Sequence, residues 1–172
     1  MEEFLFLQKI EGENPSGFLE SQRQTIIEQD AQILVALCLL GYLKPGFEDF
    51  DDKVFDGQNL YLIDTDEIVD LYSQHGMAPS DFKELLLNPT DVKALDEFRE
   101  TQRFIFGKTL KDVLFRFRKT LVPTPEDQAL YIASFFRKIG WPKPTEAQIR
   151  ELTTFPENYL TLEQHIGMIM EE

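Results

Sequence analysis

A helix-breaking phrase that occurs twice is the feature that most constrains this fold. Gly76 is followed by Met-Ala-Pro-Ser and then by a helix-favouring run, and Gly140 is followed by Trp-Pro-Lys-Pro-Thr and a second such run. The Pro-Ser pair at 79–80 and the Pro-Thr pair at 144–145 stand 65 residues apart. Each copy predicts a helix that ends at glycine and a new helix capped by Ser or Thr. The repeat therefore predicts two similar helical lobes in tandem.

Start and stop signals along the chain predict an all-α protein with about seven or eight helices and little or no β structure. Ser16 is the expected cap of a long helix over residues 17–43, whose second half is apolar nearly all round and should be buried. Short extended stretches are expected only near 60–63 and 122. Five further helices are expected over residues 64–75, 80–87, 90–106, 109–121 and 125–139, and Gly107 is expected to interrupt the chain between the third and the fourth. Capping boxes at Thr145–Gln148 and Thr161–Gln164 predict the starts of two more helices.

The charge is strongly negative and unevenly distributed. The net charge is −14, and residues 1–100 carry 22 acidic against 7 basic side chains, whereas residues 101–172 carry 9 against 10. A nucleic-acid ligand is disfavoured, because contacts to phosphate need clustered cations. A basic protein partner fits the acidic excess, and so does simple solubility.

Several functional classes have no support in the sequence. The single Cys38 cannot form an internal disulfide, which predicts a reducing, cytoplasmic location. The apolar run 31–43 is shorter than the roughly 20 residues of a membrane helix, so no membrane insertion is expected. Neither His75 nor His165 has the spacing of a metal site or a catalytic triad, and the glycines form no phosphate loop. We expect no catalytic residues, no metal, no cofactor and no enzymatic activity.

Helix pairs joined by a Gly-x-x-Pro-[Ser/Thr] break resemble the EF-hand superfamily, and most closely myosin light chains and other calmodulin-like proteins. Residues 159–166 and 95–98 resemble exits of EF loops, as do 63–67 and 122–126, and residues 110–117 resemble an entering helix. The resemblance spans roughly residues 17–170. It implies an acidic N-terminal EF-hand-like lobe at 1–106 and a C-terminal EF-hand-like lobe at 107–172. The alternative is a bundle of helical hairpins in which the Pro-[Ser/Thr] breaks are ordinary helix ends.

The calcium loops of this pattern are degenerate. A calcium loop needs oxygen ligands at alternating positions, a glycine at the sixth and a bidentate Glu at the twelfth. The last loop would place Gln164 where that Glu belongs, and Arg118 to Thr120 leave the third loop no room for ligands. In the first loop the acids at 49, 51, 52 and 56 have the wrong spacing. Any function that the resemblance implies should therefore be independent of calcium.

The resemblance implies a non-catalytic, light-chain-like subunit that binds a basic amphipathic helix of a larger protein, as myosin light chains bind the neck helix. Met-rich helices line adaptable grooves in calmodulin-like proteins. The residues expected to contact such a helix are Phe98, Phe106, Phe117, Phe135, Phe136, Ile166, Met168 and Ile169.

Three other questions remain open. The acidic first part also fits an inhibitor or assembly protein, possibly viral, that binds a basic protein surface. The acidic–aromatic segment 47–56 is either a contact loop for a basic partner or a solvated loop held to the core by its three Phe. Phe115 lies among Lys108, Lys111, Arg118 and Lys119, which either dock an acidic lobe or acidic partner or pack internally with the cations reaching outward.

Overall fold

The computed structural model describes residues 10–64, 68–70 and 92–161, together with 164 and 168; for 69–70, 92–102 and 104 it describes the backbone alone. This part of the chain contains four α-helices and four short strands. The helices are α1 (Leu19–Leu40), α2 (Val92–Phe117), α3 (Pro125–Ile139) and α4 (Glu146–Thr153), and the strands are β1 (Tyr42–Leu43), β2 (Lys53–Phe55), β3 (Leu60–Leu62) and β4 (Val69–Asp70).

Helix α1 begins after a 3-10 turn over Pro15–Phe18 and ends at a glycine. The side chain of Asn14 caps the turn by accepting a hydrogen bond from the Ser16 amide at 2.9 Å. At the other end Gly41 takes a φ of 78°, and its amide donates to the carbonyl groups of Leu37 and Cys38. The helix predicted at 17–43 is therefore confirmed to within a few residues, but Asn14 is the cap rather than Ser16.

The β structure consists of two antiparallel two-stranded sheets. In the β2–β3 hairpin Lys53 pairs with Leu62 and Phe55 with Leu60. The hairpin turn is held by Asp56, whose Oδ1 accepts from the Asn59 amide at 2.6 Å and the Gln58 amide at 2.8 Å. These bonds lower the pKa of the Asp56 carboxyl below its usual value. The second sheet pairs β1 with β4.

The caps of the C-terminal helices follow the sequence signals. Thr124 Oγ1 accepts from the Asp127 amide at 3.1 Å to start α3, and Gly140 ends that helix with a φ of 82°. Thr145 and Gln148 form the complete capping box of α4. The same reciprocal bonds join Thr161 and Gln164, at 2.8 and 3.3 Å. All of these predicted caps are confirmed.

The core forms where α1 packs on α3, with α2 and the β2–β3 hairpin completing it. Phe47 and Phe55 are 2% and 0% exposed, and Phe50 stacks on Phe117 with ring centroids 5.9 Å apart. The segment 47–56 is thus held to the core by its three Phe. The largest fully buried apolar or aromatic side chains are those of Ile26, Ile27, Phe55, Ile105, Leu110, Leu114, Phe117, Leu121, Tyr131 and Phe135.

The prediction of an all-α fold with seven or eight helices in two EF-hand-like lobes is wrong. The described residues form four helices and two small sheets, and two of the helices are long, with 22 and 26 residues. Strand β4 lies inside the helix predicted at 64–75, because residues 69–70 pair with β1. The stretch near 60–63 is confirmed as β3, whereas Val122 is in no strand.

Helix α2 also differs from its prediction. Gly107 does not interrupt it, and the helix predicted at 109–121 is the end of α2, which stops at Phe117. The division predicted between residues 106 and 107 falls inside this helix. The first copy of the repeat, at 76–86, and the helix predicted at 80–87 lie outside the described residues.

Among the described residues, no helix is both long enough and apolar enough to cross a membrane.

The glycine that ends α3 gives a first test of the fold. We expect Gly140→Ala to lower the free energy of unfolding by about 1 kcal/mol, because an L side chain is disfavoured in the left-handed conformation. Gly17→Ala is the matched control, since a Cβ at either site meets no atom within 4 Å and only Gly140 has a positive φ. Urea denaturation measures both. Equal stability of the two variants would contradict the cap.

The buried side chains of Cys38 and Tyr131 should make the folded protein less stable at alkaline pH. Burial raises the pKa of the Cys38 thiol to about 12, from an ordinary 9.0, and raises that of Tyr131 well above 10. Both groups stay neutral in the folded protein while they ionise in the unfolded chain. The contribution of Cys38 is therefore complete below pH 9 and falls as the pH rises from 9 towards 12, and that of Tyr131 falls above pH 10. We expect the free energy of unfolding to fall by about 1.4 kcal/mol per pH unit for each group. In urea titrations Cys38→Ala should show a shallower fall, and an unchanged slope would contradict the assignment.

Candidate functional site

The most polar cluster of the core is a buried network of three side chains from three elements. Lys53 Nζ of β2 donates to Asp30 Oδ2 of α1 at 2.6 Å and to the Phe47 carbonyl oxygen at 2.5 Å. The hydroxyl of Tyr131 on α3 donates to Asp30 Oδ1 at 2.6 Å. The Lys53 ammonium also lies over the Phe47 ring, 3.8 Å from its centroid.

This network has the residue types of a reaction centre but no access to a substrate. The side chains of Lys53 and Asp30 are 0% exposed, and Tyr131 is 0% exposed as a residue. Desolvation raises the pKa of the Asp30 carboxyl, although Lys53 and Tyr131 act in the opposite direction. The arrangement satisfies a buried charge pair, and its role is to join α1, α3 and the hairpin.

The accessible site is a groove of about 560 Å³ between α2 and α4. Its α2 wall consists of Arg103, Gly107, Lys108 and Lys111, which share one face because their spacing follows the helical repeat. The remainder of the lining comes from α3, the link after it, and α4, namely Phe136, Trp141, Pro142, Gln148, Glu151 and Leu152. We call this site the cationic groove, because the described residues of its lining include three cations and one carboxylate.

Trp141, the single tryptophan of the chain, is held in the groove by a cluster of aromatic rings. Phe136 meets it edge to face with centroids 5.0 Å apart, and the rings of Phe135 and Phe106 lie 6.0 and 6.3 Å away. The tryptophan follows the left-handed Gly140 that ends α3, and its amide donates to the Phe136 carbonyl at 2.9 Å. The groove therefore has a rigid aromatic floor.

The three cations of the groove differ in their surroundings. Lys108 Nζ donates to the Tyr159 hydroxyl oxygen at 2.9 Å and to the Leu160 carbonyl at 3.2 Å, so it ties the segment 154–161 to α2. The Tyr159 hydroxyl in turn donates to Asp112, and burial raises the pKa of this tyrosine. Arg103 is exposed and also interacts with another group of the protein. The Lys111 ammonium lies 5.5 Å from the centre of the Tyr159 ring.

Of the eight residues predicted to contact a partner helix, the structure describes five side chains, and four of these are buried. Phe106, Phe117, Phe135 and Phe136 are buried in the core at 3%, 0%, 0% and 5% exposure, because their helices pack on one another through these rings. Phe136 alone also lines the cationic groove. Met168 is 60% exposed. The side chain of Phe98 and the whole of Ile166 and Ile169 lie outside the described residues.

The carboxylates of the segment 47–56 have partners within the protein. Glu48 accepts from Arg116 at 2.8 Å, Asp51 from Asn14 at 2.8 Å, and Asp52 pairs with Lys44 at 2.9 Å. Asp49 and Asp56 accept from backbone amides of their own turns. These contacts, with the three Phe, give the segment a structural role and do not favour its use as a contact loop. Binding to a basic partner stays a prediction.

Sequence reasoning noted Lys108 and Lys111 but missed Arg103, Gly107 and Trp141 as parts of a site. Phe115, expected among the same cations, packs on Phe155 and Tyr159 with centroids 5.3 and 5.2 Å away. The i, i+4, i+8 spacing of 103, 107 and 111 is the signal that was available. It is informative only if α2 runs through Gly107.

No protein-family model, curated protein or solved structure matches the chain. The described residues contain no group of three or more His, Cys, Asp or Glu side chains that could hold a metal ion. The resemblance to EF-hand proteins thus receives no support from relatives.

Substitutions in the Lys53–Asp30–Tyr131 network test whether it stabilises the packing of α1, α3 and the hairpin. Lys53→Met leaves the Asp30 carboxylate buried without its cation, and we expect a loss of roughly 3–5 kcal/mol in the free energy of unfolding. Adding Asp30→Asn removes the charge and keeps an acceptor for Tyr131, so part of that loss should be recovered.

Urea denaturation of the two single variants and the double variant measures the coupling. As a control, Arg116→Met breaks the pair with Glu48, whose side chains are 25% and 30% exposed, and we expect it to cost less than about 1 kcal/mol. Strictly additive losses for Asp30 and Lys53 would contradict the network.

Proposed function

We propose that this protein is a non-catalytic binding subunit whose cationic groove holds an anionic segment of a partner protein. The single observation that carries the proposal is the juxtaposition of three cations with an aromatic floor in an open groove of about 560 Å³. Apolar area with a few convergent charges is the composition of a recognition site. A cluster of three cations is unusual in a chain whose net charge is −14.

The positive charge of the groove favours an acidic partner over a basic one. A basic amphipathic helix would bring its Lys and Arg towards Arg103, Lys108 and Lys111, and like charges at short range disfavour the complex. Carboxylates of a partner would meet opposite charges there. The proposal therefore keeps the expectation of a protein partner without catalysis and replaces the basic helix with an acidic segment.

The acidic inhibitor or assembly protein remains the second candidate. The net charge of residues 1–100 supports it, but the internal partners of the 47–56 carboxylates weaken the case for that segment as its contact surface. We also propose a reducing, cytoplasmic location, supported by Cys38, which is the single cysteine of the chain and is buried.

Intrinsic fluorescence of Trp141 can test the proposed function. An acidic peptide that contains Phe but no Trp should change this emission saturably, and a peptide with Lys in place of each acid should not. The double variant Arg103→Ala/Lys111→Ala should weaken binding at least tenfold. Lys119→Ala/Lys138→Ala is the matched control, because it removes the same charge from exposed positions outside the groove lining. Equal loss in both double variants, or preference for the Lys peptide, would refute the proposal.

A further inference from the structure

The cationic groove has at its centre a glycine that the fold does not require. Gly107 lies in the interior of α2, where glycine is less favourable than alanine. A Cβ built on it would meet no heavy atom within 4 Å, and its φ is not positive. Neither crowding nor backbone conformation therefore demands glycine. Its effect is to leave the middle of the groove wider by one methyl group.

Two cations flank this gap symmetrically. Arg103 and Lys111 each lie one helical turn from Gly107, and with a rise of ~1.5 Å per residue they stand about 12 Å apart along α2. Trp141 and Phe136 line the same groove from the other side. The wall thus presents a positive charge, an apolar gap and a second positive charge in line.

An extended peptide matches this order of charge, gap and charge. In an extended chain residues i−2, i and i+2 project to the same side, and the outer two are about 13 Å apart. Carboxylates at i−2 and i+2 would therefore reach Arg103 and Lys111 while an apolar side chain at i enters the gap beside Gly107. A helical ligand would have to place its acids seven or eight residues apart to span the same distance.

We propose that the cationic groove binds an extended segment with the pattern acid–x–apolar–x–acid, and that Gly107 is the residue that admits a large aromatic side chain at the central position. This inference rests on the proposed function and names the chemistry of its partner. Aromatic anchors in a pocket, with charges at the rim, carry most of the affinity in many interfaces. Here the anchor would pack against Trp141 and Phe136.

Glu151 gives the groove a second element of selectivity. It is exposed on α4 and is the one carboxylate among the described residues that line the groove. Its charge opposes any acid placed on the α4 side, so it favours peptides whose carboxylates lie along α2. We expect Glu151→Gln to strengthen binding of an acidic peptide by about two- to fivefold and to relax the preference for spacing.

The test compares three synthetic peptides with blocked ends, read by Trp141 fluorescence. The first contains Glu-Ser-Phe-Ser-Glu, the second has the same composition with both Glu adjacent to Phe, and the third has Ala in place of Phe. We expect the second and third to bind about tenfold more weakly than the first. In the second peptide the carboxylates project away from the face that carries the Phe.

Gly107→Ala tests the role of the gap. We expect this variant to raise Tm by roughly 2–4 °C through better helix propensity, and to weaken the Phe peptide about tenfold while leaving the Ala peptide unchanged. Equal affinity for the two Glu spacings, or an unchanged affinity in Gly107→Ala, would overturn this inference and leave the proposed function standing. Failure of the wild-type protein to bind any acidic peptide would instead overturn the proposed function.

Discussion

The contact between Lys53 and Asp30 is the interaction on which the rest of this structure depends. It places a full charge pair in the core, where desolvation is costly unless every oxygen and proton has a partner. Tyr131 and the Phe47 carbonyl supply the remaining partners, and they come from α3 and from the segment before the hairpin. Helix α1, strand β2, helix α3 and the segment that contains Phe47 must therefore lie within hydrogen-bond distance of one another at this point. This requirement fixes how the hairpin packs on α1 and α3.

The local part of the fold could be predicted from the sequence, and the non-local part could not. Thr124, Thr145 and Thr161 act on amides within three residues, so these helix starts follow from short patterns. Strand β2 escaped prediction because Lys53 shares a buried face with Phe55, against the rule that lysine faces water, and its partner Asp30 is 23 residues away. Gly107 suggested a helix break, but burial of Phe106 and Leu110 on either side outweighs the weak helix propensity of one glycine.

The cationic groove also could not be predicted from the sequence, because it depends on which side chains the packing leaves accessible. Phe117 and Phe135 were predicted to contact a partner because aromatic residues often anchor interfaces. They are instead fully buried, since they fill the space between helices. The groove instead uses Trp141, which is left partly open because the chain turns sharply at Gly140. Its cations are spread over nine residues of α2, from Arg103 to Lys111, and lie on one face only if the helix is unbroken. The total charge of −14 gives no hint of this locally positive surface.

The position of Lys108 couples the groove to the segment that follows α4. The same ammonium lines the groove and donates to Tyr159 and Leu160. An occupant that displaced this ammonium from the Tyr159 hydroxyl and the Leu160 carbonyl would, by thermodynamic linkage, favour release of residues 154–161 from α2. Release of that segment would favour such an occupant to the same extent.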